Sequence, residues 1–138
     1  MNLEGGCLCG HLRYLISAEP IDAGFCHCRM CQRSSGAPVL AWLTLSVADF
    51  RYSQGRPAIF HSSAQYQREF CPQCGTQLAF RAIANAKTVD VTLGSLDDTA
   101  SVTPQYHIWC DSKVSWLHLD DGLPTFSNAG PDAGPDAR

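Results

Sequence analysis

Three cysteines fall within six residues in Phe25-Cys26-His27-Cys28-Arg29-Met30-Cys31, a C-x-C-x-x-C pattern. Cys26 and Cys28 stand too close along the chain for an unstrained disulfide. A metal ion has no such difficulty. One zinc can collect three thiolates from a single turn at roughly 2.3 Å each. Three protein ligands leave one corner of a tetrahedron open, and an open corner is what separates a catalytic zinc from a structural one. The bland alternative is a fourth ligand brought in from elsewhere in the chain. Spacing alone leaves both readings standing.

The remaining cysteines bear on that choice. Of the eight in the chain, Cys7 and Cys9 form a C-x-C, Cys71 and Cys74 a C-x-x-C followed by Gly75, and Cys110 stands alone. Cys7, Cys9, Cys71 and Cys74 complete one closed tetrahedral set. Gly75 can take the positive φ that turns backbone N–H groups toward the sulfurs of such a knuckle. Cys26, Cys28 and Cys31 are then one ligand short, which favours an open site. Cys110 closing it would make that zinc structural as well. His27 lies between two ligands, so its ring is expected to point away. His107 and Cys110 flank Trp109, and for both a packed or hydrogen-bonded role is the commoner fate.

These clusters must be held by a mainly β domain. No apolar period of about 3.6 residues persists along the chain. Residues 11–16, 39–45, 51–54, 58–62, 66–70, 77–81, 88–93 and 107–109 read as strands, from alternation or from runs of β-favouring residues. The segment 88–93 alternates most cleanly. The segment 39–45 is apolar enough to be buried on both faces. A short helical turn is expected after Cys31, stopped by Gly36 and Pro38. Trp116 and Leu117 are expected to pack near 107–109. Residues 1–126 read as one domain. Residues 127–138, with Gly-Pro-Asp-Ala twice over and no large apolar group, read as a disordered tail.

Composition narrows the function. Hydrophobic residues make up 45% and charged residues 17%, and the net charge is −3. The ten Lys and Arg are scattered, with no basic run to follow a phosphate backbone, so nucleic acid is not an expected partner. The first residues lack the charged and apolar regions of a signal peptide, and no apolar run approaches the roughly 18–20 residues that span a bilayer. A cytoplasmic protein without a membrane partner is expected. In that reducing compartment, cysteines serve more often as metal ligands than as disulfides.

Several stretches carry a family resemblance: Gly6-Cys7-Leu8-Cys9-Gly10, Cys26 to Cys31, Ser35-Gly36-Ala37-Pro38, Arg68 to Thr76, Val89 to Asp98, His107-Ile108-Trp109 and Asp121-Gly122-Leu123-Pro124. In order, over about residues 5–126, they resemble the glutathione-dependent formaldehyde-activating enzymes, also called the centromere protein V family. The resemblance implies a β-tent fold of small antiparallel sheets stapled by zinc knuckles, with few short helices. It implies two zinc ions, a structural one on Cys7, Cys9, Cys71 and Cys74 and a catalytic one on Cys26, Cys28 and Cys31. It further implies a carbon–sulfur lyase acting on adducts of a small thiol, glutathione or a relative, with an aldehyde such as formaldehyde.

The donor set suits that chemistry. Zinc with three thiolates carries a formal charge of −1. It is a poorer Lewis acid than a three-histidine zinc but still holds an incoming thiol as its thiolate. His27, Ser35 and His107 are candidate proton carriers, each more ordinary as a structural residue. Arg33, Ser34 and Ser35 are candidates for the polar end of glutathione, and Arg29 reads as a solvated neighbour. Two other classes remain: a non-catalytic zinc-binding interaction module, and a thiol or zinc redox sensor in which the three clustered cysteines oxidise as metal leaves.

Overall fold

The computed structural model describes residues 2–132. Ten strands and one helix follow the chain: β1 Leu3–Gly6, β2 Arg13–Ile16, β3 Asp22–Cys26, α1 Arg29–Ser35, β4 Leu40–Ser46, β5 Phe50–Gln54, β6 Ala58–His61, β7 Tyr66–Phe70, β8 Gln77–Ala82, β9 Thr88–Thr92 and β10 His107–Ile108. They form a three-stranded sheet in the order β1-β2-β5 and a seven-stranded sheet in the order β10-β3-β4-β9-β8-β7-β6. Pairing is antiparallel except between β10 and β3. The fold is thus mainly β, with a single short helix among the described residues.

The pleat decides which residues meet. In β2 the alternation buries Tyr14 and Ile16 against the larger sheet, as the sequence pattern requires. β4 is buried on both faces. Leu43 and Leu45 enter the main core with Val89, Val91, Leu78, Cys7 and Cys71. Trp42 points the other way, into a smaller core with Cys26, Cys31, Phe80, Tyr106 and Ile108. Each fully buried aliphatic side chain contributes roughly 1.5–3 kcal/mol. The two cysteine groups therefore sit in the walls of two different cores. On β3, Gly24 lies under the ring of Tyr106, which occupies the space a Cβ would need, and the Tyr106 hydroxyl donates to Asp22 Oδ1 at 3.0 Å.

Several local outcomes differ from expectation, among them β1 Leu3–Gly6 and β3 Asp22–Cys26, which are not among the expected strands. β2 begins at Arg13, not at residue 11, because Leu12 is taken up by the preceding turn: its N–H donates to Cys7 Sγ at 3.2 Å and its carbonyl accepts from Cys7 N. The helix starts at Arg29, inside the three-cysteine stretch, because Cys28 caps it. Trp116 is 68% exposed. Within the segment read as a tail, Ser127 and Asn128 offer carbonyls to the N–H groups of Asp111 and Trp109, and a 3-10 turn covers Gly130–Asp132. Residues 133–138 lie outside the described residues.

Candidate metal centres

The first cluster is built from two turns of the same design. Around Cys71, the N–H groups of Gln73 and Cys74 both point at its sulfur at 3.4 Å, and Gly75 closes the turn at φ +80° with its N–H on Cys71 O. Around Cys7, Leu12 N–H points at the sulfur, and Gly10 at φ +81° donates to Cys7 O. These N–H groups suit thiolates better than thiols. Thr76 ties the turns together: its hydroxyl accepts from Leu8 N at 3.1 Å and lies 3.2 Å from Cys74 Sγ. Cys7 and Cys9 sulfurs are 3.6 Å apart, and Cys9 and Cys71 sulfurs 3.8 Å. Tetrahedral zinc with bonds of about 2.3 Å needs sulfur–sulfur edges of about 3.8 Å. The donor set therefore fits a metal, and all four sulfurs lie within 4.8 Å of one another.

The acid–base character of this group agrees. The Thr76 hydroxyl and backbone N–H groups bring Cys74 down to about 5. Burial would raise Cys7, but the bonds from Leu12 N–H, Cys71 and Cys9 outweigh it, and its thiol is also lowered. Two thiolates so close resist having more beside them. His11 N–H favours the Cys9 thiolate, yet burial and its three cysteine neighbours push the thiol up to about 12. A cation resolves that conflict by taking the charge of all four.

The second cluster brings Cys26, Cys28 and Cys31 together, again with sulfurs within 4.8 Å. Cys26 ends β3. Cys28 is the N-cap of α1, its sulfur accepting from Cys31 N at 3.2 Å, and Cys31 lies in the first turn of the helix. Gly36 closes that helix at φ +73° with its N–H on Gln32 O. No fourth Cys, His, Asp or Glu among the described residues joins the three. Cys110 belongs to neither cluster. It opens a 3-10 turn with its N–H on Phe126 O, and burial pushes its thiol up.

Arg68, which sequence reasoning did not single out as a site residue, completes the surroundings. It is 5% exposed, and its guanidinium lies 4.0 Å from Cys31 Sγ, 3.3 Å from Ser34 Oγ and 4.9 Å from the centre of the Phe80 ring. A buried cation beside three thiolates offsets their surplus negative charge. The signal was present in β7. Tyr66, Arg68 and Phe70 share one face by period 2, with a charge between two aromatics, while Glu69 on the opposite face is tied to Tyr52 and Arg81.

The three candidate proton carriers are all committed elsewhere. His27 Nε2 lies 2.8 Å from His107 Nδ1, and His107 Nε2 lies 2.7 Å from Asp121 Oδ2. The carboxylate accepts from His107 Nε2–H, which leaves Nδ1 to accept from His27 Nε2–H; the network assigns these tautomers. His27 is 0% and His107 2% exposed, so neither reaches a substrate. Ser35 Oγ donates to Cys31 O and accepts from Ala37 N. The His27 ring points away from the cysteines, as expected, and holds the loop to β10. Burial, then His107 beside it, lowers its pKa from 6.5 to about 4. Its Nδ1 is buried with no acceptor nearby for a second proton. His27 thus contributes stability that is present above about pH 6.5 and lost as pH falls from there toward about 4. At about pH 5, nitrogen-15 spectra are expected to show one protonated and one bare nitrogen in His27; an imidazolium there would contradict the assigned network.

Two pockets flank this cluster. One, of about 500 Å³, is walled by Cys28, Met30, Tyr66, Arg68, Phe80 and Trp109 among others. The second, of about 540 Å³, shares Met30 and Arg68 and adds Arg33, Ser34, Ser62 and Gln77. No helix is long and apolar enough to cross a membrane.

A mainly β domain with a four-thiol cluster and a separate three-thiol cluster beside a pocket defines a cysteine-rich protein of the β-tent kind with two candidate metal sites. The chain belongs to the glutathione-dependent formaldehyde-activating enzyme family, whose model matches residues 2–112. A Halomonas elongata protein named "Putative glutathione-dependent formaldehyde-activating enzyme" is 23% identical over 129 residues, covering 87% of this chain and 82% of that protein. A solved Rhodobacter sphaeroides protein superposes with a TM-score of 0.56 at 19% identity, over 89% of this chain and 98% of that one, and shares the fold.

Proposed function

We propose that this chain is a zinc-dependent carbon–sulfur lyase that makes and breaks the adduct of a small thiol, glutathione in the first instance, with an aldehyde such as formaldehyde. The observation that carries this reading is the three-thiol cluster, with no fourth side-chain ligand among the described residues, set in the wall of a pocket through Cys28. Family membership supports the thiol and the aldehyde. Zinc held by Cys26, Cys28 and Cys31 would supply a soft position that keeps an incoming thiol in its thiolate form.

The chain's own residues do the rest. Arg68 compensates negative charge beside Cys31. Arg33 offers a cation, in the pocket that Ser34 and Arg68 also line, for the carboxylates of glutathione, while the Ser34 hydroxyl donates to Cys31 O and accepts from Arg68. Arg29, read from the sequence as a solvated neighbour, donates to Gln32 Oε1 and lines the pocket beside Cys28. In the forward direction the sulfur bonds to the carbonyl carbon, the thiol proton is lost, and the carbonyl oxygen gains one. With His27, His107 and Ser35 committed, water in the open pocket carries that proton. The reaction occurs slowly without a catalyst, so its test is exchange. Two-dimensional exchange NMR on glutathione with formaldehyde should show faster interconversion of free and adduct signals when wild-type protein is added. An unchanged exchange rate with metal-loaded protein would remove the lyase reading.

A further inference from the structure

The pocket next to Cys28 is far larger than formaldehyde requires. Formaldehyde is little bigger than a water molecule, whose share of liquid volume is about 30 Å³. The pocket measures about 500 Å³; Met30, Ala64, Tyr66, Phe80 and Trp109 form its apolar wall, with Arg29, Ser63, Gln65 and Arg68 also lining it. That is the size and apolar character of a site for a drug-sized group. Its wall is also built at some cost. Trp109 holds φ +58°, a left-handed backbone that a bulky side chain rarely adopts, fixed by its N–H on Asn128 O at 2.9 Å. Tyr66 and Phe80 stack at 5.0 Å between ring centres, which presents two aromatic groups together. The neighbouring pocket shares Met30 and Arg68 and carries Phe60 and Phe70 beside Arg33, Ser34 and Gln77, so both pockets are mainly apolar; the one walled by Cys28 reaches the three-cysteine cluster itself, and the other adds the cation of Arg33.

We infer that the aldehyde half of the adduct carries a bulky apolar group, aromatic or medium-chain aliphatic, seated in the pocket between Cys28 and Trp109. The polar end of the thiol lies across Arg68 in the neighbouring pocket. This inference rests on the lyase reading above and names its substrate class. The reaction is the reversible cleavage of a hemithioacetal. The carbon–sulfur bond breaks, its electron pair stays on sulfur, the hydroxyl loses its proton to become the carbonyl, and the thiolate recovers that proton. No oxidant or reductant is needed.

Stable S-alkylglutathiones mimic the carbon arm without reacting. Calorimetric titration of metal-loaded protein with S-methyl-, S-butyl- and S-hexylglutathione should show affinity rising about fourfold per methylene. The heat-capacity change should grow more negative along the series. Ala64 is exposed in the β6–β7 loop, so Ala64→Trp can fill the pocket mouth in a folded protein, and it should abolish the dependence on chain length. Exchange NMR with hexanal or benzaldehyde in place of formaldehyde should show a larger acceleration over the uncatalysed rate. Glutathione that binds while the alkyl series stays flat would overturn this inference and leave the lyase reading standing. A chain-length dependence that survives Ala64→Trp would overturn the placement. No binding by glutathione or any conjugate would remove both.

Discussion

Cys74→Ser is expected to leave the chain largely unfolded, and Cys28→Ser to leave it folded. Cys74 belongs to the cluster that ties residues 7–9 to residues 71–74, and its partners Cys7 and Cys71 are part of the main core with Leu12, Leu43 and Val91. Metal binding to such a set carries roughly 10–16 kcal/mol of apparent free energy. A domain's whole stability is only about 5–15 kcal/mol. Losing one of four ligands removes much of the first quantity and so threatens the second. Cys28 lies beside the smaller core. Its sulfur caps α1 by accepting from Cys31 N, and serine is among the best residues for that duty. Circular dichroism and metal analysis should therefore separate the two. Wild type should hold two zinc ions with one much easier to strip, Cys28→Ser should hold one, and Cys74→Ser should lose cooperative unfolding. Equal collapse of both variants would mean that the second cluster is structural too.

Arg68→Met should lower the turnover of the three-cysteine site and its metal affinity by about 10–100-fold, the usual effect of losing a partner of metal ligands. Methionine keeps much of the bulk over the Phe80 ring while removing the charge 4.0 Å from Cys31 Sγ. Arg68→Lys should recover part of the affinity, since it restores the charge without the planar fork that reaches both Cys31 and Ser34. Chelator competition at the easily stripped site is the measurement. A change in melting temperature alone, with metal affinity and exchange rate as in wild type, would reduce Arg68 to a packing residue.

The sequence exposes the candidate metal ligands because ligand spacing is local. Two cysteines a turn apart with a glycine behind them describe a knuckle before any contact is known, and Gly75 adopts the positive φ that reading required. The strands from 39–45 through 88–93 are legible for a similar reason, since alternation and apolar runs are properties of single segments. What stays hidden depends on segments far apart in the chain. β1 is four residues long and half glycine, and it exists because it pairs with β2. The early start of α1 rests on a cysteine in the cap position, where serine, threonine, aspartate or asparagine would have announced it. The aromatic pocket joins residues near 28, 64–68, 80 and 109, and no local pattern links them. Arg68 falls between these cases. Its alternation with Tyr66 and Phe70 was visible, but not what that face would meet.

The most direct test of the account replaces zinc by cobalt and adds a thiol. The central claim is that the cluster of Cys26, Cys28 and Cys31 has a position for an incoming sulfur, and sulfur ligands change thiolate-to-cobalt absorption. Glutathione should shift that absorption in wild type and leave it unchanged in Cys28→Ser, while S-methylglutathione, which cannot form a thiolate, should shift it far less. Equal responses to glutathione and S-methylglutathione, or none to either at millimolar concentration, would contradict the thiol-binding site and leave a zinc-stabilised interaction module as the better description.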